Sequence, residues 1–234
     1  MFAVSSHQTS PDRQSGEPGG RGRGGDKRRA LLDGALAVFS ADGYSRASVD
    51  NIARAAGVST RTLYNHFGDK AALFEAVIVD SAQRVAAAQV ITVQRLLGRI
   101  ADIEADLTEF GRVWATPSPQ YAAHFALVRQ ITADADHIPP AALEAWQQAG
   151  PLRVRAEIAD HLRRIAQAGH LSIDDPETAA VHLIQLVMAG RTFHGPVAPP
   201  TGEIHRLADA GVRAFLHGYA AARAPAARPG RGRR

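Results

Sequence analysis

The stretch "ASVDNIARAAGVSTRTLYNHFGDK", residues 47–70, restricts the fold of this chain more than any other. Ser48 stands at an N-cap position, and Val49, Ile52, Ala53 and Ala56 fall on one side of a short helix that stops at Gly57. Ser59 caps a second helix, on which Leu63 and Phe67, four residues apart, share a face. Gly57 can take the positive φ of the turn, Ala53 lets the helices approach closely, and Val58 with Leu63 closes the small core between them. The result is a helix-turn-helix over residues 48–67 whose second helix stands clear of the body. Its outer face carries Thr60, Arg61, Tyr64 and Asn65, which donate hydrogen bonds and include no acid. Such a face suits the major groove of DNA, although a structural helical pair with a solvated face has the same pattern.

The charge distribution separates these readings. Residues 21–70 hold nine Lys/Arg against five Asp/Glu, residues 71–222 hold twelve against sixteen, and residues 223–234 hold five Arg and no acid. Basic ends on an acidic body point to a polyanion met through the N-terminal fifth of the chain, with the tail either accessory or merely solubilising. Residues 1–24 are rich in Gly, Pro, Ser and Gln and are expected to form a disordered basic arm, in which Arg21 and Arg23 could reach a minor groove.

Helix one starts near Asp26, carries the stripe Leu31, Leu32, Ala35, Leu36, Val38 and Phe39, and ends at "ADGYS" with Gly43 as a left-handed cap. Beyond the helix-turn-helix, helices are expected over 69–97, 100–116, 119–135, 140–168 with a break at Gly150–Pro151, 175–190 and 203–221. No stretch sustains period-two alternation, so the fold class is all-α. Pro117, Pro119, Pro139, Pro140 and Pro176 punctuate these helices as stops or first-turn residues. The chain has no cysteine, no signal-peptide core near its start and no long uncharged apolar run, and is expected to be cytoplasmic.

The run "RRALLDGALAVFSADGYSRASVDNIARAAGVSTRTLYNHFGDKAALFEAVI" resembles the DNA-binding domain of the TetR family of bacterial transcriptional regulators. The likeness covers residues 26–78 and rests on "FSADGY", "VDNIARAAGVS", "TLYNHF" and "GDKAALF". Residues from "FALVRQITADADHIPPAALEAWQQAG" onward are similar to the C-terminal domain of the AefR-like branch. The resemblance implies a three-helix DNA-binding domain, a larger helical domain for dimerisation and inducer binding, and no enzymatic activity. The corresponding division is 25–85 for the first and 86–222 for the second, with 223–234 as a disordered tail. Matched by position, Ser48, Ser59, Thr62, Tyr64, His66 and Lys70 fall on phosphate-contacting sites and Thr60, Arg61 and Asn65 on the groove floor. Arg61 suits a bidentate bond to guanine and Asn65 a contact to adenine, though either can bind phosphate instead. The ring of Tyr64 is expected to pack locally while its hydroxyl turns to phosphate.

A homodimer is expected, with Leu183, Leu186 and Val187 on one helix and Leu207, Val212 and Phe215 on the next forming a four-helix interface. Some of these must also serve the internal core. Trp114, His124, Phe125, Val128, Trp146 and His161 lie on central helices where the family keeps a ligand pocket; plain core is the competing role. The ten histidines lack metal-ligand spacing, and no phosphate loop or catalytic triad is present, so neither metal nor cofactor is expected. The expected function is a dimeric repressor that binds a palindromic operator and leaves it when a small-molecule inducer binds. An activator of the same fold, a helical catalytic or small-molecule-binding domain and a non-specific DNA-coating protein are the alternatives.

Overall fold

The computed structural model describes residues 20–192 and 199–219. The expected N-terminal arm, except its last residues, and the Arg-rich tail lie outside them. Among the described residues there are ten α-helices and no strand. They are α1 Gly20–Arg46, α2 Val49–Ala55, α3 Thr60–Phe67, α4 Lys70–Leu97, α5 Ile103–Ala115, α6 Ala122–Ala133, α7 Pro140–Ala149, α8 Pro151–Gln167, α9 Pro176–Thr192 and α10 Thr201–Tyr219.

Local chemistry explains most boundaries. Asp69 caps α4 by accepting from the Ala72 N–H at 2.8 Å, and Asp102 caps α5 through the N–H groups of Glu104 and Ala105 at 3.0 and 2.9 Å. Asp102 therefore starts α5 three residues later than the apolar pattern indicates. Pro119 opens a 3-10 turn rather than the helix expected from 119, and α6 begins after it at Ala122. At the α7–α8 break, a Cβ on Gly150 would stand 2.9 Å from the Ala82 Cβ. The chain turns there against the backbone of α4.

Two apolar cores share α4. The first joins Leu31, Leu32, Ala35 and Phe39 of α1 with Ile52, Leu63 and the early α4 residues Leu73, Phe74, Val77 and Ile78. The second runs from Ala86, Val93 and Leu97 through Leu107, Phe110, Ile158, Leu162, Leu183 and Phe215. Each fully buried Val, Leu, Ile or Phe among them contributes about 1.5–3 kcal/mol. Leu127, Ile131, Ile138 and Ala142 belong to the first core, although they fall within the 86–222 segment expected to form the other domain. Leu127 and Ile131 do so because α6 lies along α1, and Ala142 does so because α7 packs on α4. By length and composition alone α4 could cross a bilayer, but here its apolar residues form the wall common to both cores.

Candidate nucleic-acid interface

The Ser48 hydroxyl accepts from the Asn51 N–H at 3.1 Å, which caps α2 and leaves its own O–H free to donate. Ser59 accepts from the Thr62 N–H at 3.2 Å, and its hydroxyl lies 2.9 Å from that of Thr62. One O–H of this pair is used between them and the other remains. Gly57 has φ 65°, and the Val58 N–H bonds to the Ala53 carbonyl at 3.0 Å, which closes the turn. Leu63 is the buried residue of α3 and anchors it to the first core.

Arg61, Asn65 and His66 are exposed on α3, while Thr60 and Thr62 are half-buried. Tyr64 is 49% exposed, so its ring does not pack into the local core as expected; α3 lifts it away from the body. Lys70 is half-buried, and its ammonium donates to the Ser45 carbonyl at 3.3 Å and lies 4.9 Å from the centre of the Tyr44 ring. Burial pulls its pKa below the usual lysine value. Lys70 thus ties the start of α4 to the end of α1, a role its phosphate assignment left out. Three further cations lie on α1 and α2: Arg46 and Arg54 are exposed, and Arg28 stacks 5.6 Å from the Phe67 ring centre on α3. The position of Arg54 was readable, since with Asn51 it lies opposite Ile52 and Ala53 on α2.

In the second half of the chain, Trp114 of α5 and Phe125 of α6 converge with Val85, Ala88 and Thr92 of α4 and Arg191 of α9 on a cleft of about 210 Å³. The other four candidate ligand residues lie elsewhere. His124 bonds through Nδ1 to the Ser81 hydroxyl at 2.9 Å. Burial, then the positive charge of Arg84, pushes its pKa down to about 4. Val128 does not line the cleft, and Trp146 packs on the first core. His161 is buried with Nδ1 3.0 Å from the Leu97 carbonyl, so it joins α8 to the end of α4. These are structural placements, the competing role open to histidine and aromatic residues at helical spacing.

Residues 31–77 match the family described as bacterial regulatory proteins, tetR family, and residues 106–221 match the AefR-like transcriptional repressor C-terminal domain. The chain belongs to the TetR family. Among curated relatives, it is 30% identical over 164 residues to the HTH-type transcriptional repressor Rv1474c of Mycobacterium tuberculosis, covering 70% of this chain and 79% of that one. A solved TetR-family regulator from Mesorhizobium loti is similar with a TM-score of 0.74 and 31% identity, over 85% of this chain and 98% of that one. The flavonoid-responsive regulator FrrA is similar with a TM-score of 0.58 and 26% identity, over 85% of this chain and 100% of that one. The TetR-family chain described here is a DNA-binding transcriptional regulator; members of this family bind DNA operators as dimers and respond to small molecules.

In this TetR-family regulator the residues expected at the dimer interface divide in two. Leu183, Val187, Val212 and Phe215 are at most 1% exposed and belong to the chain's own second core, so they cannot meet a partner directly. Leu186 and Leu207 are partly exposed. They sit at the crossing of α9 and α10, where a Cβ on Gly211 would stand 2.3 Å from the Leu186 carbonyl oxygen and one on Gly190 3.0 Å from Leu207. This close antiparallel pair leaves Val181, Gln185, Ala214 and Gly218 exposed on its outer side.

Proposed function

We propose that this chain is a homodimeric repressor that places α3 of each subunit in successive major grooves of a palindromic operator and leaves it when a small molecule binds. The observation that carries this reading is α3 itself, held by Leu63 while Arg61, Tyr64, Asn65 and His66 project outward. Arg61 and Asn65 read bases together with Thr60. Ser48, Ser59, Thr62, Tyr64, His66 and Lys70, joined by Arg46 and Arg54, hold the phosphates. The protein acts on the chromosome in the cytoplasm and performs no catalysis. Residues 25–85 form the DNA-binding part and residues 86–222 the sensing and dimerising part, with α6 and α7 bridging them. Similarity to the repressor Rv1474c and to the flavonoid-responsive regulator FrrA supports repression and a small-molecule signal.

Two helices connect the cleft to the DNA-binding part. One is α4, which lines the cleft from Val85 to Thr92 and begins at Lys70 beside Ser45. The other is α6, which lines it with Phe125; just past its end Asp134 accepts from the Ser45 N–H at 3.4 Å. Two recognition helices must stand about 34–36 Å apart to meet one face of DNA. A ligand that binds a differently spaced state more tightly therefore lowers operator affinity, and the operator weakens ligand binding by the same factor. Selecting bound duplexes from a random pool with the purified protein tests the reading. A palindromic consensus supports it, and equal recovery of all sequences refutes it.

A further inference from the structure

A cation without a counter-charge among the described residues faces the cleft. Arg191, the only Lys or Arg on α9, is half-buried, and its guanidinium lies 5.2 Å from the centre of the Phe125 ring. Among the described residues no carboxylate pairs with it. The charge that acts on it is that of Arg129, and burial together with this like charge draws its pKa below the usual arginine value. The ring face offsets a part of that penalty, but a half-buried cation with only a like charge acting on it remains unfavourable. Uncompensated charge of this kind at a cleft is a mark of a site awaiting a partner of opposite sign.

The remainder of the wall limits what that partner can be. Trp114 and Phe125 offer aromatic surface and Val85 adds an apolar side chain. The Gln89 amide and the Tyr121 hydroxyl line the cleft without a hydrogen-bond partner among the described residues. At about 210 Å³ the volume lies below the roughly 300–1,000 Å³ of pockets for drug-sized ligands. We infer that the cleft takes a small anion with a flat unsaturated body, an aromatic monocarboxylate, whose carboxylate meets Arg191 and whose ring lies against Trp114 and Phe125. The inference deepens the inducer reading above and rests on it. Arginine's planar fork matches a carboxylate in two parallel hydrogen bonds, which a neutral amide of the same shape cannot reproduce.

Three near-isosteric probes of different charge test it: benzoate, benzamide and benzamidine. The full chain carries two tryptophans. In Trp146→Phe, a substitution outside the cleft, the fluorescence of Trp114 alone reports occupancy. Benzoate is expected to bind roughly tenfold or more tightly than benzamide, with benzamidine weakest. Arg191→Gln should bring benzoate down to the affinity of benzamide, and Arg191→Lys should restore part of the difference. Equal binding of benzoate and benzamide, tighter binding of benzamidine, absence of benzoate binding, or a benzoate preference that survives Arg191→Gln overturns the inference. A second measurement needs no ligand. Ligand-free Arg191→Met should melt no lower than the wild type, since it removes an uncompensated charge; a fall of several degrees would make Arg191 a structural residue and overturn the proposal. Benzoate binding that leaves operator affinity unchanged supports the anion site and removes the inducer reading. Operator release by benzamide but not by benzoate overturns the anion site and leaves the inducer reading standing.

Discussion

Gly43 sits where the end of α1 meets the end of α6, and replacing it tests how the two parts of the chain are joined. Its φ of 78° and ψ of 174° interrupt α1 in a region that essentially only glycine occupies. A Cβ there would stand 2.7 Å from Oδ2 of Asp134 and 3.0 Å from Oε1 of Gln130. Gly43→Ala therefore strains the backbone by about 1–3 kcal/mol. It also displaces Asp134 from the Ser45 N–H, a bond worth about 0.5–1.5 kcal/mol. The sum of about 1.5–4.5 kcal/mol corresponds to a fall in Tm of roughly 3–18 °C for a chain of this size. Asp134→Ala removes the closer of the two clashes and the hydrogen bond but neither the Gln130 contact nor the backbone strain. In a double-mutant cycle the two substitutions should consequently be sub-additive, by about the value of the shared hydrogen bond. Thermal and urea unfolding of the wild type, both single variants and the double variant measure all four corners. A Gly43→Ala protein as stable as the wild type, or strict additivity, would refute this account of the joint.

Three further outcomes are expected. Lys70→Ala should weaken binding to all duplexes alike and lower the salt slope by about one, and unlike an exposed phosphate contact it should also lower Tm, because the Ser45 tether is lost; salt-dependent binding and melting curves check both. His124 has its pKa depressed from 6.5 to about 4, so the unfolded chain binds more protons between these values. Its contribution is complete above about pH 6.5 and is lost as pH falls toward 4; the pH dependence of stability in that window should flatten in His124→Gln. Val181→Glu on the exposed face of α9 should give folded monomers in sedimentation, whereas Phe215→Glu, 1% exposed, should unfold the chain by burying a charge among apolar neighbours. An unchanged dimer in Val181→Glu would place the interface elsewhere.

The helix-turn-helix was legible because its rules are local. Ser48 and Ser59 cap over three residues, Gly57 answers a single dihedral angle, and Leu63 is the one apolar position in the centre of a polar helix. All four act as read. Partner choice between distant helices was not legible. The apolar stripes of α9 and α10 announce burial, yet nothing in their periodicity says whether Phe215 meets its own α5 and α9 or a second subunit. Likewise His161 and Trp146 carry the same residue types as a ligand pocket, and only the tertiary path sends one to the Leu97 carbonyl and the other to the first core. Arg191 left a faint mark, a lone cation on an otherwise neutral stretch of helix; its stacking on Phe125 joins residues 66 positions apart and has no local signature.

Whether Arg61 on α3 reads a base is decided by sequence selection from a random duplex pool, run in parallel with the wild type and Arg61→Ala. Arg61→Ala should keep the palindrome but lose preference at one base pair of each half-site, with a cost of roughly 1–3 kcal/mol for the selected wild-type sequence. An identical base preference in both proteins would contradict it and return Arg61 to the phosphate backbone.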